Sequence, residues 1–141
     1  NWKCGQEGSI RLMQLLLARF IVEQHLTYSE SMVEFIIEHC NRIYSTIGYA
    51  KAQNNNHGTS ESAALYIGGA LLADIPNIDN KIKKHAIRWH EKGKSLLENR
   101  IKELILPDGS FSQYSTNYHR LLLDTLNIVE FWRKRSNKYI A

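Results

Sequence analysis

The sequence lacks the features that would mark a disulfide-rich, metal-binding or membrane-spanning protein. Its two cysteines, Cys4 and Cys40, are too few and too far apart for a disulfide framework or a metal motif. Apolar runs stay well short of the roughly 20 residues that a bilayer-spanning helix requires. We therefore expect a globular domain with no membrane span, in which Cys40 is a buried core residue.

Segments that alternate apolar and polar residues, the pattern of a half-buried β-strand, are also missing. Apolar residues instead repeat at helical spacing in five segments. These run from about Ser9 to Leu26, from Thr27 towards Gly48, from Thr59 to Ala73, from Asp79 to the turn at Pro107, and from Ser115 or Thr116 to Trp132. At 141 residues, with 43% hydrophobic and 23% charged residues, the chain can bury one core. We predict a single all-α domain of antiparallel helical hairpins, a construction used in both α-solenoids and α/α toroids.

Local signals predict several helix ends and one close contact. Thr27 can cap the second helix, and Gly48 would end it. Asp79 would cap the fourth helix. Gly68 and Gly69 lie in the middle of the third helix, where each glycine costs roughly 1 kcal/mol relative to alanine. We expect these two glycines to let a neighbouring helix approach closely.

The excess of positive charge is small and says little about partners. Eighteen Lys and Arg against fourteen Asp and Glu give a formal net charge of +4, which mildly favours anionic partners. The basic residues are spread along helices without interleaved aromatic residues, as at Lys81, Lys83, Lys84 and Lys134. We interpret them as a solvated helix face rather than a nucleic-acid surface.

The least helix-like polar stretch, Gln-Asn-Asn-Asn-His-Gly at residues 53–58, leads directly into the third helix. The N-terminus of a helix offers free N–H groups and a positive dipole, which suit a bound carboxylate. Glu61, four residues after His57, would share its side of the helix and could orient the imidazole. The alternatives are that Asn and Gly only make the turn, and that His57 and Glu61 form a simple salt link.

A second polar stretch, residues 108–120, joins the fourth and fifth helices and also opens into a helix. It ends in Tyr118, His119 and Arg120, and a phenol, an imidazole and a guanidinium in consecutive positions could form an acid/base and anion-binding group. Tyr118 could equally be an ordinary amphipathic residue whose ring packs beside Leu122. These residues alone leave both interpretations open.

Taken in order, the two stretches resemble the motifs of one enzyme family, the heparinase II/III-like polysaccharide lyases. Residues 55–57 (Asn-Asn-His) and 61–65 (Glu-Ser-Ala-Ala-Leu) are similar to the family's Asn-His…Glu-Ala-Ala segment. Trp89, Gly93, residues 106–110 (Leu-Pro-Asp-Gly-Ser) and residues 115–120 (Ser-Thr-Asn-Tyr-His-Arg) are similar to its Trp…Gly…Pro-Asp-Gly…Ser…Tyr-His pattern. With Trp2, residues 5–7 (Gly-Gln-Glu) and Arg11, the resemblance covers nearly the whole chain.

The resemblance implies an all-α fold that is part of an incomplete α/α toroid. Residues 1–141 would be one helical domain, a fragment of the toroid of a larger lyase, without the β-sheet-rich domain that follows the toroid in the family. The expected partners are an acidic polysaccharide and that C-terminal β-sheet domain of the same chain. No cofactor is expected in this fragment, and the resemblance implies a periplasmic or secreted protein.

The resemblance also implies residue roles in the cleavage of a uronate-containing polysaccharide by β-elimination. Asn56 would neutralise the uronate carboxylate, His57 would assist it or act as base, and Tyr118 would be the general acid or base. The expected substrate-binding residues are Asn55, Glu61, His119 and Arg120. Because stacked hairpins bring successive loops to one rim, we expect Asn56, His57 and Tyr118 to line one concave surface. A further histidine or tyrosine, supplied in the family from beyond the toroid, has no counterpart here.

Two other functions are compatible with a helical hairpin array. A non-catalytic module could hold a saccharide or a protein in a mildly basic cleft. A toroid glycoside hydrolase would need paired carboxylates across the cleft. Glu61 and Asp108 are possible acids, but the polar loops mainly offer Asn, His and Tyr, which favour the lyase. The polymer could be alginate, heparan sulfate, hyaluronan or another uronate-containing glycan.

Overall fold

The computed structural model describes residues 4–23 and 28–135, most of which lie in five helices. The helices are α1 (Gly5–Glu23), α2 (Glu30–Ala52), α3 (Asn56–Ala73), α4 (Asn80–Leu104) and α5 (Thr116–Arg133). The described ranges contain no strand, and their one isolated bridge joins Ile105 to Phe111 in antiparallel fashion. The prediction of an all-α fold is therefore confirmed. No helix in this part of the chain is long and apolar enough to cross a membrane.

Helix α3 is the centre of the fold and contacts each of the other four helices. Every residue of α3 is buried except His57. A helix that is apolar around its whole circumference has to be covered on all sides, and α3 achieves this with small residues that admit its neighbours. Cys40, on α2, is fully buried in the same core, as predicted, and burial raises the pKa of its thiol well above the ordinary range.

The closest helix crossing joins α3 to α4 and depends on glycines in both helices. A Cβ atom added to Gly69 would lie 2.5 Å from the backbone oxygen of Ala86 and 2.5 Å from the backbone nitrogen of His90. A Cβ added to Gly93 would collide with backbone atoms of Ser62 and Tyr66. The expectation that mid-helix glycines allow close approach is thus confirmed for Gly69.

The end of α2 differs from the prediction. Gly48 does not terminate the helix, which continues to Ala52. The helix stops where Asn54 adopts a positive φ of 50°, a left-handed conformation that asparagine tolerates better than most residues. An exposed glycine inside a helix costs only about 1 kcal/mol, so the tertiary contacts of α2 carry it past Gly48.

The starts of the helices also differ in part from the prediction. Ser29 caps α2, with its side chain accepting a hydrogen bond from the amide of Met32, whereas Thr27 and Leu26 lie outside the described residues. Helix α1 begins at Gly5 rather than Ser9. Asp79 caps α4 as predicted, because its Oδ1 accepts hydrogen bonds from the backbone amides of residues 81 and 82.

The connection between α4 and α5 is a tight loop anchored by one aromatic residue. Gly109 takes φ = 84° and donates its N–H to the carbonyl of Leu106 at 2.8 Å. The buried ring of Phe111 packs with Leu104 and Leu122 in a small separate apolar cluster. This cluster fixes the polar loop relative to the ends of both helices.

Candidate active site

The second half of the first polar stretch, residues 56–58, forms the opening turn of α3, and residues 53–55 make the turn before it. The helix begins at Asn56, three residues earlier than the predicted Thr59. Asn55 is the N-cap, and its Oδ1 accepts a hydrogen bond from the amide of His57 at 3.0 Å. Because the positive end of a helix dipole lies in its first turn, Asn56 and His57 occupy the part of α3 that attracts an anion.

His57 and Glu61 form a close pair one helical turn apart, as expected from their spacing. Nδ1 of His57 lies 3.5 Å from Oε1 of Glu61. The two residues line a pocket of about 310 Å³ where the start of α1, the end of α2 and the start of α3 meet. The other lining residues are Cys4, Gly5, Arg42, Thr46, Tyr49 and Gln53.

The pKa values of the pair are shifted towards its uncharged state. Desolvation raises the pKa of Glu61 to about 7, against a smaller opposing effect of the Arg42 charge. Burial lowers the pKa of His57. Both shifts favour a protonated carboxyl beside a neutral imidazole over a salt link between two charged groups. Arg42 is then the main positive charge of the pocket.

Two buried oxygen atoms of the pocket lack hydrogen-bond donors among the described residues. They are Oε2 of Glu61, a residue that is only 3% exposed, and Oε1 of Gln53. Gly5 presses against the same carboxyl group, since a Cβ at this position would lie 2.5 Å from Oε2. Buried polar atoms are normally satisfied by protein or solvent, so both oxygens need a hydrogen-bond donor other than the described residues.

We expect Glu61→Gln to remove a pH-dependent loss of stability. Because folding raises the pKa of Glu61, the folded state holds its proton more tightly. The stability from this group is present at low pH and is lost as the pH rises from about 4.5 to about 7, a change on the order of 3 kcal/mol. The amide of glutamine does not ionise, so the variant should be more stable than the parent at pH 8.

Chemical denaturation of both proteins at pH 5, 6, 7 and 8 measures this difference. The lowered pKa of His57 acts in the opposite direction but is common to both proteins. Glu34→Gln, at an exposed position of α2, is the matched control and should follow the parental profile. A stability difference between parent and Glu61→Gln that stays constant over this range would disprove the assignment.

A hydrogen bond links the second polar stretch to the first. Oε1 of Gln113 accepts from the backbone N–H of Asn56 at 3.0 Å, across 57 positions of sequence. The side chain of Gln113 thereby satisfies one of the free amides at the start of α3. The two motifs that the sequence predicted to act together are in direct contact at this point.

The three consecutive residues at the start of α5 differ in exposure. Tyr118 is 44% exposed, and Arg120 is also exposed. His119 is half-buried, and its ring stacks on that of Phe111 with 6.5 Å between the centroids and 26° between the ring planes. Ser115 is the N-cap residue of α5, in agreement with the sequence. Tyr118 and Arg120 are thus accessible to a ligand outside the pocket.

Of the three predicted catalytic residues, only His57 lines the pocket. Asn56, which directly precedes His57 on α3, is only 4% exposed, and Tyr118 lies in the first turn of α5. A single concave surface shared by all three stays a prediction. No role was predicted for Arg42 or Gln113, because a single residue without a motif gives no signal of a contact with a distant segment.

A second pocket of the domain is less polar than the pocket at His57. A larger pocket of about 480 Å³ between α1 and α2 is lined mainly by apolar side chains and contains none of the predicted site residues. Within residues 4–23 and 28–135, no group of three or more His, Cys, Asp and Glu residues is placed to hold a metal ion. The polar pocket at His57 is therefore the candidate site.

The described residues form a helical domain in which two polar motifs meet at the N-terminus of the central helix. The family described as heparinase II/III N-terminus matches the chain over residues 2–138. The chain therefore belongs to the heparinase II/III family, which is related to polysaccharide lyases. No curated protein and no solved structure matches it.

Proposed function

We propose that this domain contributes the catalytic residues of a polysaccharide lyase that cleaves a uronate-containing acidic polysaccharide by β-elimination. The observation that carries the proposal is the hydrogen bond between Gln113 and the amide of Asn56. It joins the Asn-His motif to the loop that leads into Tyr118. Membership of the heparinase II/III family supports the same conclusion.

The reaction needs groups that make a weakly acidic proton removable. The C5 proton of a uronate lies beside an ionised carboxylate, and its removal builds up further negative charge. Hydrogen bonds that neutralise the carboxylate stabilise the enolate-like transition state. Asn56 supplies such bonds at the positive end of α3, and His57 assists it or acts as base. Tyr118 exchanges a proton with C5 or with the leaving oxygen.

The charges of the pocket suit an anionic sugar. Arg42 is the one permanently charged side chain among the residues that line the pocket. The unpartnered oxygens of Gln53 and Glu61 can accept hydrogen bonds from sugar hydroxyls. Glu61 then binds substrate from α3, and Arg120 and His119 bind it from α5. Asn55 already caps α3 through Oδ1, so its part in binding is to hold this turn.

We infer that residues 1–141 are part of an incomplete α/α toroid and act together with a β-sheet-rich domain of the same chain. That domain would close the saccharide cleft and supply a further histidine or tyrosine. No step of the β-elimination requires a cofactor in this domain. A non-catalytic saccharide-binding module is the second candidate, favoured by the absence of Tyr118 from the pocket lining.

Asn56→Ala in the full-length protein tests the role of the carboxylate-binding group. The hydrogen bond to Gln113 uses the backbone N–H of Asn56 and survives the change, so the fold should be kept. We expect the rate of elimination to fall by about a hundredfold to a thousandfold, as when one donor to a developing charge is removed. Unsaturated product is followed by its ultraviolet absorbance.

Asn117→Ala is the matched control, because Asn117 is exposed in the first turn of α5. It should retain the parental rate. An Asn56→Ala variant that retains the parental rate would remove Asn56 from the mechanism. If the parent protein binds the saccharide but does not cleave it, the result would instead favour the binding module.

A further inference from the structure

We propose that Arg100 is a positioning residue, which holds the turn bearing Asn56 and His57 in its active geometry through a hydrogen bond to Asn54. The inference rests on the proposed function in so far as this turn acts on substrate. Arg100 lies in α4, outside both polar motifs, and no sequence pattern singles it out.

The guanidinium of Arg100 is buried, and each of its three nitrogen atoms donates a hydrogen bond. The residue is 3% exposed, and Nη1 donates to Oδ1 of Asn54 at 2.7 Å, across 46 positions of sequence. Nε and Nη2 both donate to Oδ1 of Asn99, and Nη2 also donates to Glu103. The planar guanidinium therefore ties the turn after α2 to the C-terminal part of α4.

Asn54 is the residue whose conformation creates the turn. Its φ of 50° reverses the chain between α2 and α3, and left-handed backbone in a residue with a side chain carries strain. Asn55, the next residue, caps α3, and Asn56 and His57 follow directly. A hydrogen bond that fixes Asn54 therefore fixes the direction in which α3 begins.

The start of α3 is also shaped to receive the stem of Arg100. A Cβ added to Gly58 would lie 2.9 Å from Cδ of Arg100. The glycine immediately after His57 thus lets the arginine pass beneath the first turn of α3 and reach Asn54. Gly58 and Arg100 together determine how closely this turn approaches α4.

A contribution to the stability of the fold does not by itself explain a buried arginine at position 100. Its carboxylate partner, Glu103, has a side chain that is 49% exposed, and ion pairs with solvent-exposed partners contribute little. Desolvation of a guanidinium is costly, and apolar side chains of similar size often replace buried charges without loss of stability. The directed bond to Asn54 is what such a replacement would remove.

Amide hydrogen exchange of the full-length protein tests the inference without any substrate. The variants are Arg100→Met, which keeps the stem, and Asn54→Gly, which keeps the turn conformation but removes the acceptor. Both should speed exchange of the His57 and Gly58 amides by roughly tenfold or more, because a hydrogen bond to a charged group is lost. The control Glu103→Gln should leave these amides unchanged.

Kinetics on an acidic polysaccharide test the functional consequence. Arg100→Met and Asn54→Gly should lower kcat by roughly tenfold or more with little change in KM. Arg100→Lys, which can still donate to Asn54, should recover part of kcat. The double variant should be no slower than Arg100→Met alone, since both changes break one contact.

Unchanged exchange at His57 and Gly58 in both variants would overturn the inference, as would additive effects in the double variant. Acceleration spread evenly over all five helices would also overturn it, because it would show a general stabilising role. If Arg100→Met does not fold, Asn54→Gly decides the question. A parent without lyase activity would refute the proposed function, while the exchange experiment would still decide whether Arg100 holds the turn.

Discussion

Replacement of Tyr118 by phenylalanine in the full-length protein is expected to lower the rate of elimination by about a hundredfold to ten-thousandfold, the usual contribution of general acid–base catalysis. The ring of Tyr118 is 44% exposed at the start of α5, so loss of its hydroxyl leaves no buried group unsatisfied. We therefore expect the melting temperature and the affinity for saccharide to stay near parental values.

Tyr114→Phe is the matched control for this experiment. Tyr114 lies in the same loop and is 98% exposed, so the variant loses the same hydroxyl at a position with no proposed role. Initial rates of both variants are compared from the ultraviolet absorbance of the product. A Tyr118→Phe variant that turns over at close to the parental rate would exclude Tyr118 as the acid or base.

Gly93→Ala should strongly destabilise this domain. The added methyl group would meet the backbone of α3 at Ser62 and Tyr66, and backbone cannot move aside as a side chain can. Overpacking of a core typically costs 1–3 kcal/mol and can cost more. We expect a loss of about 3 kcal/mol in the free energy of unfolding, measured by chemical denaturation.

The control for this substitution is Gly48→Ala in α2. Gly48 is also inside a helix, but no atom would lie within 4 Å of an added Cβ. Alanine should therefore raise the stability by about 0.5–1 kcal/mol, through its better helix propensity. A Gly93→Ala variant as stable as the parent would show that α3 and α4 are not packed as described.

The helices could be predicted because their signals are local. Five periodic segments gave five helices, and Asp79 capped α4 because an N-cap acts within three residues of itself. The close approach at Gly69 also followed from sequence, since two adjacent glycines inside a helix require a compensating contact. Gly48 misled the prediction because glycine permits a helix end without requiring one.

The candidate site depended on contacts that no local pattern encodes. Gln113 reaches Asn56 across 57 positions, and Arg100 reaches Asn54 across 46 positions. The carboxyl of Glu61 is enclosed partly by Gly5, a residue of a different helix. The motifs predicted which side chains carry the chemistry. Their burial, their pKa shifts and their supporting contacts arise only when distant segments pack together.

The measurement that tests the lyase assignment most directly is turnover of acidic polysaccharides by the full-length protein. Alginate, heparan sulfate and hyaluronan are incubated with it, together with a neutral polysaccharide of similar length. β-Elimination leaves an unsaturated uronate, so absorbance in the ultraviolet should rise with at least one acidic polymer and stay flat with the neutral one. Cleavage that produces new reducing ends without this absorbance would show hydrolysis and contradict the account.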